Sequence, residues 1–117
     1  FIAPSERCRN PQSKQERIMI VVNAVVKSTS KDIVAMQNAI GAMETASRAE
    51  EGCDDYTFSV ELNDPNALRI TEKWHSVEAL KAHMATPHMA EFQKAMGNNP
   101  PSSLDVKFYE VQEIQPF

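Results

Sequence analysis

No apolar run in this sequence approaches the ~20 residues that a membrane-crossing helix requires. Cysteine is scarce: Cys8 and Cys53 alone cannot build a disulfide-dense scaffold or a cysteine-rich zinc site. Glycine occurs three times, and neither GxGxxG nor a P-loop is present, nor are GxSxG or HExxH. Basic residues are also in deficit. Twelve Lys and Arg against 16 Asp and Glu leave a net charge of −4, so no basic face for nucleic acid is expected. What remains is a 117-residue chain, 42% hydrophobic and 24% charged, which is the composition of one globular domain.

Residues 1–17 (FIAPSERCRNPQSKQER) lack hydrophobic periodicity and read as a flexible arm. Four basic residues against two acidic ones give the arm +2, leaving −6 for the domain over 18–117. No apolar segment of signal-peptide type follows its charges, so a cytoplasmic location is expected. Ile18–Lys27 is β-branched and nearly uninterrupted, the pattern of a buried strand. Ser28-Thr29-Ser30 then offers a helix cap, with Ile33, Met36, Ile40 and Met43 forming one stripe. That helix is expected to run to about Glu51, with Gly52 in the left-handed stop position. Glu50 and Glu51 then fall at the end of a helix dipole that disfavours acids.

Tyr56–Leu62 and Ala67–Trp74 read as strands joined by a four-residue turn, Asn63-Asp64-Pro65-Asn66. On the second, Leu68, Ile70, Glu72 and Trp74 share one face, and Arg69, Thr71 and Lys73 the other. Ser76 caps a short helix carrying Val77, Leu80 and Met84. Thr86-Pro87 restarts helix, with His88, Phe92 and Met96 on one stripe. Leu104–Ile114 is the last strand. Leu104, Val106 and Phe108 lie on one parity and Tyr109 and Val111 on the other, which suggests a bulge or a second partner. The order β-α-β-β-α(α)-β is the ferredoxin-like split βαβ sandwich, an α+β fold with helices on one face of an antiparallel sheet. The first strand wants burial on both sides, so a homodimer packed sheet on sheet is expected, with Tyr109–Ile114 crossing over.

Several residues could carry chemistry. Asn23 is the single polar residue inside an apolar strand; it is either a satisfied structural amide or a donor facing a pocket. Trp74 alone suggests core packing. His75, at a strand end, is expected to be exposed. His83 and His88 flank one helix break beside Trp74 and Tyr56, which suggests a pocket. Histidine there can exchange protons near neutral pH. As a zinc pair they lack an acidic or cysteine ligand at a familiar spacing. Glu72 shares the face of Trp74 and is either a base with a raised pKa or a cross-strand partner for Lys or Arg. Cys53 has no His or Asn partner at a telling spacing and reads as a small buried hydrophobe.

The run Glu50-Glu51-Gly52-Cys53-Asp54-Asp55-Tyr56, together with Glu72-x-Trp74-x-Ser76, Leu80-x-x-His83 and Thr86-Pro87-His88, resembles the antibiotic-biosynthesis monooxygenase (ABM) domain family, especially its small quinol-monooxygenase-like members. The resemblance covers Ile18 to about Ile114. It implies a ferredoxin-like dimer, the dimeric α/β barrel type, with a pocket in each subunit between sheet and helices. It also implies oxygenation of a quinol or polycyclic phenol by dioxygen without metal or flavin. By motif it carries site roles to Tyr56, Trp74, His83 and His88, and by position in its strand to Asn23. Haem, which some relatives degrade, is not expected: Phe92-Gln93-Lys94 offers no axial His after His88. The expected site is then His88 or His83 as base, Asn23 or Trp74 stabilising developing charge, and Tyr56, Phe58, Glu72 and Phe92 around an aromatic substrate. An isomerase or a small-molecule binding module on the same scaffold is the alternative.

Overall fold

The computed structural model describes residues 18–117; the expected N-terminal arm and Cys8 lie outside them. The elements are β1 (Ile18–Lys27), α1 (Ser30–Ala35), α2 (Gln37–Arg48), β2 (Cys53–Glu61), β3 (Asp64–Trp74), α3 (Val77–Met84), α4 (Pro87–Asn98) and β4 (Ser103–Gln112). The strands form one antiparallel sheet in the order β2-β3-β1-β4, which is the expected ferredoxin-like arrangement.

Period-two alternation decides the two faces. Ile20, Val22, Ala24 and Val26 of β1 are buried under the helices, with Leu68, Ile70, Glu72 and Trp74 of β3 and Tyr56 of β2 beside them. Ile33, Met36, Met43, Leu80 and Phe92 close that core from the helix side. On the open face Met19, Val21 and Val25 are only half-buried and Asn23 is exposed.

Four details differ from the sequence reading. The first helix breaks at Met36 (φ −89°, ψ 2°), whose N–H is shared between the carbonyls of Asp32 and Ile33 at 3.1 Å each. Such a bifurcated bond is a 3₁₀-like step that leaves the Ile33–Met43 stripe on one side. The helix ends at Arg48, before Glu50 and Glu51. The hairpin connection is two residues, Leu62-Asn63, because Asp64 already pairs with Glu61. Pro65 is tolerated in β3 because β1 reaches only Ala67. Finally, β4 pairs with β1 without a register shift from Ile18↔Gln112 to Lys27↔Ser103, so it holds no bulge. Its parity switch reflects apolar residues on both faces of an edge strand, where Leu104, Val106, Phe108 and Tyr109 all remain exposed. The irregular pairings lie instead in β2, at Cys53/Asp55 and Val60/Glu61.

Candidate active site

The end of α3 and the start of α4 bring two histidines to one carboxylate. Thr86 is the pivot: its hydroxyl donates to the His83 carbonyl (2.7 Å) and accepts from the Met89 N–H (3.2 Å), with Pro87 at the first helical position. On one continuous helix, positions five apart would diverge by about 140° around the axis. The break cancels that divergence. His83 Nδ1 and His88 Nε2 each lie 2.6 Å from the same oxygen, Glu50 Oε2.

Glu50 reaches them from the turn that follows α2. Gly52 sets that turn with a left-handed φ of 88°, and a Cβ there would lie 2.7 Å from the Ala79 Cβ. The His83 side chain is fully buried, Glu50 is 14% exposed and His88 22% exposed. Water therefore reaches the group through His88 and Glu50. With Glu50 ionised, both nitrogens donate to it. His83 Nε2 is buried and has no hydrogen-bond partner.

Behind the histidines the aromatic side chains pack on one another. The Trp74 ring lies 4.7 Å from His83 and the Tyr56 ring 5.1 Å from it, centroid to centroid. Phe58 bridges Tyr56 (5.8 Å) and Phe92 (5.4 Å). Buried Glu72 accepts the Trp74 indole N–H at 2.9 Å. Its expected alternative partner, a Lys or Arg, is replaced by this indole. Burial raises the Glu72 pKa, opposed by the Trp74 N–H and the His83 charge. Burial, Glu72 and Glu50 also hold the Tyr56 hydroxyl firmly protonated. The Cys53 thiol is pushed up to about 11, mainly by burial and then by Glu50, so it is no nucleophile at neutral pH. His75 is exposed, as expected, and pairs with Asp54 at 2.7 Å.

The structure thus brings Tyr56, Phe58, Glu72, Trp74, His83, His88 and Phe92 into one cluster on the helix-covered face. It does not bring Asn23 to them. Asn23 lies exposed on the opposite face, paired with Thr71 and Lys107, because odd positions of β1 point away from the helices. The open space also differs from a pocket framed by Trp74 and Tyr56, since both are nearly inaccessible. A groove of about 470 Å³ runs instead between α2 and α4, lined by Met43, Ala46, His88, Phe92 and Ala95 among others. Glu50 is the residue that spacing did not reveal. Its signals were its place in the Glu50–Tyr56 run and at the unfavourable end of a helix, and it lies in fact beyond that end, paired to residues 33 and 38 positions later. Glu50, His83 and His88 also present three ligand atoms within 4.8 Å of one another, so the acid that the histidine pair lacked locally comes from afar.

A four-stranded antiparallel sheet in the order β2-β3-β1-β4, covered on one face by helices, defines an α+β domain of the ferredoxin-like class. The family model described as Antibiotic biosynthesis monooxygenase matches residues 19–95, and the chain belongs to that family. An uncharacterised protein of Synechocystis sp. is 27% identical over 118 residues, covering 98% of this chain and 78% of that protein. The probable quinol monooxygenase YgiN of Escherichia coli is 29% identical over 75 residues, covering 57% of this chain and 66% of its own length. Among solved structures, a Deinococcus radiodurans protein superposes with a TM-score of 0.76 at 22% identity, covering 84% of this chain and 97% of that one. The Mycobacterium tuberculosis protein Rv0793 gives 0.73 at 23%, covering 82% and 97%. At these identities the structural matches show the fold. Among the described residues no helix is long and apolar enough to cross a membrane.

Proposed function

We propose that the protein is a monooxygenase that uses dioxygen to oxygenate a quinol or polycyclic phenol, with the substrate supplying the electrons and no redox cofactor. The observation that carries this reading is the shared Glu50 oxygen between His83 and His88, beside an apolar groove. An aromatic substrate in that groove meets Met43, Ala46 and Phe92, and its hydroxyl meets His88. His88 keeps Nε2–H on Glu50, which leaves Nδ1 as the nitrogen that takes the phenolic proton. Glu50 fixes the ring and stabilises the imidazolium, as the carboxylate of a catalytic triad does. The resulting phenolate is electron-rich enough to reduce dioxygen; one oxygen atom enters the product and the other leaves as water. His83, Tyr56 and Trp74 form the dry wall that strengthens this electrostatics.

The functional unit in this reading is a homodimer. Met19, Val21 and Val25 on the open sheet face, continued on the edge strand β4 by exposed Tyr109 and half-buried Val111, favour a second copy packed sheet on sheet.

The test is dioxygen uptake by metal-stripped protein with hydroquinones, naphthohydroquinones and anthrones. Uptake above the spontaneous rate that is lost in His88→Ala supports the reading. Uptake that is unchanged in His88→Ala removes His88 from the mechanism. Turnover without uptake replaces the oxygenase with an isomerase.

A further inference from the structure

We propose that Glu50, His83 and His88 form a binding site for one first-row divalent transition cation of the zinc class, held by the atoms that now meet at the Glu50 carboxylate, His83 Nδ1 and His88 Nε2. Three observations converge on it. The donor set is two imidazoles and one carboxylate, the combination that suits zinc, iron, nickel and copper rather than magnesium or calcium. The three ligand atoms lie within 4.8 Å of one another, and the side chains are largely withdrawn from water. A cation held at ~2.0–2.2 Å needs ligand atoms about 3–3.5 Å apart. The present 2.6 Å contacts therefore have to open by less than about 1 Å.

The third observation is the orphaned nitrogen. When His83 Nδ1 donates to Glu50, the neutral ring leaves a lone pair at the buried, unpartnered Nε2. The rings of Trp74 and Tyr56 pack on that imidazole with centroids 4.7 Å and 5.1 Å away. A cation that takes the Nδ1 lone pair leaves the one proton of the neutral ring at Nε2, in place of the Nδ1–H that bridges to Glu50 at 2.6 Å. The cation then stands between Nδ1 and the Glu50 oxygen, and His88 supplies a third bond. Three protein ligands leave a coordination position for water or a small anion. The geometry is held by Gly52 and by the Thr86 pivot, which are parts of the fold and not of the ion.

Metal binding is measured in the absence of any quinol, so its outcome is separate from that of the oxygenase reading, which is tested on metal-free protein. Where that reading holds, a bound cation inhibits turnover, because it takes the nitrogen that anchors His88 to Glu50. The experiment is calorimetric titration of metal-stripped protein with Zn²⁺, repeated with Co²⁺ while its visible absorption reports coordination. One equivalent per chain is expected, micromolar or tighter, with an intense tetrahedral-type cobalt spectrum. Both His88→Ala and Glu50→Gln are expected to weaken binding at least roughly 100-fold. His75→Ala, which removes the exposed His75–Asp54 pair, is expected to leave it unchanged. His88 is partly exposed, so its variant serves as the folded control should Glu50→Gln unfold. Absence of saturable binding overturns the proposal. So does binding that survives both His88→Ala and Glu50→Gln, or that is lost in His75→Ala.

Discussion

His83 and His88 stand five residues apart in sequence yet aim one nitrogen each, at 2.6 Å, at the same oxygen of Glu50. Neither helix alone could achieve this. The break at Ala85–Thr86 rotates the second histidine back toward the first, and the turn at Gly52 delivers the acid. A proton arriving at His88 is therefore felt by a carboxylate that His83 also holds.

In the proposed oxygenase mechanism that coupling makes Glu50 and His88 a unit. Glu50→Gln should lower kcat by on the order of 100-fold or more while changing KM little, because an amide keeps the shape but cannot stabilise an imidazolium. His88→Ala should cost a similar factor, and the double variant should cost scarcely more than either single one. Steady-state oxygen uptake with the best substrate of the panel measures all three. Fully additive losses would show that the two residues act independently.

Much of this architecture was legible in the chain. The stripes Ile33–Met36–Ile40–Met43 and His88–Phe92–Met96, and the alternation of Leu68, Ile70, Glu72 and Trp74, each follow from a local period. Local periods survive into the fold whenever one face is buried. The Met36 break was not legible, because the stripe is the same on either side of it. The turn between β2 and β3 is shorter than its residues suggest, because Asp64 and Pro65 carry turn chemistry yet here begin a strand that outruns its neighbour. Asn23 stands out as the polar residue of an apolar strand, but parity places it exposed on the open face, away from the cluster it was expected to join. Glu50 stands in the motif run, but its pairing is illegible for a different reason: it depends on contacts 33 and 38 residues away, which no periodicity encodes.

Gly52 should tolerate no side chain. At φ 88° any L-residue is strained, and an alanine Cβ would meet the Ala79 Cβ at 2.7 Å. Gly52→Ala is expected to destabilise the fold by about 1–3 kcal/mol, read as a lower midpoint in urea denaturation. Because the same turn carries Glu50, activity should fall even at temperatures where the variant is fully folded. A variant as stable as the parent would show that the turn relaxes freely.

The dimer reading predicts a sharp effect at the centre of the open face. Val21 pairs with Lys73 on one side and Tyr109 on the other, and it is half-buried within one chain. Val21→Asp should leave the helix-covered core intact, preserving the circular-dichroism spectrum, but should shift the mass by light scattering from dimer to monomer. A desolvated carboxylate in a sheet-on-sheet contact is costly unless paired. A parent protein that runs as a monomer at high micromolar concentration would remove this interface.

Glu72 gives a pH signature whose sign can be worked out. Its folded pKa is raised above the ordinary carboxylate value of 4.5, chiefly by burial. Between that value and the raised one, the folded state holds a proton that the unfolded chain has lost. Stability therefore falls as pH rises through this window, since the unfolded state binds fewer protons there. Glu72→Gln keeps an oxygen for the Trp74 N–H and removes the charge. Its stability should lack that decline and exceed the parent's above the window, as followed by urea denaturation in steps of pH from the acid limb to neutrality. Trp74→Phe acts oppositely. It strips the buried carboxylate of its 2.9 Å donor, which should cost about 1–3 kcal/mol near neutral pH and steepen the decline. Parallel pH profiles for the parent and Glu72→Gln would mean that Glu72 is ionised as easily in the fold as in water, and that the Trp74 and His83 contacts offset its burial in full.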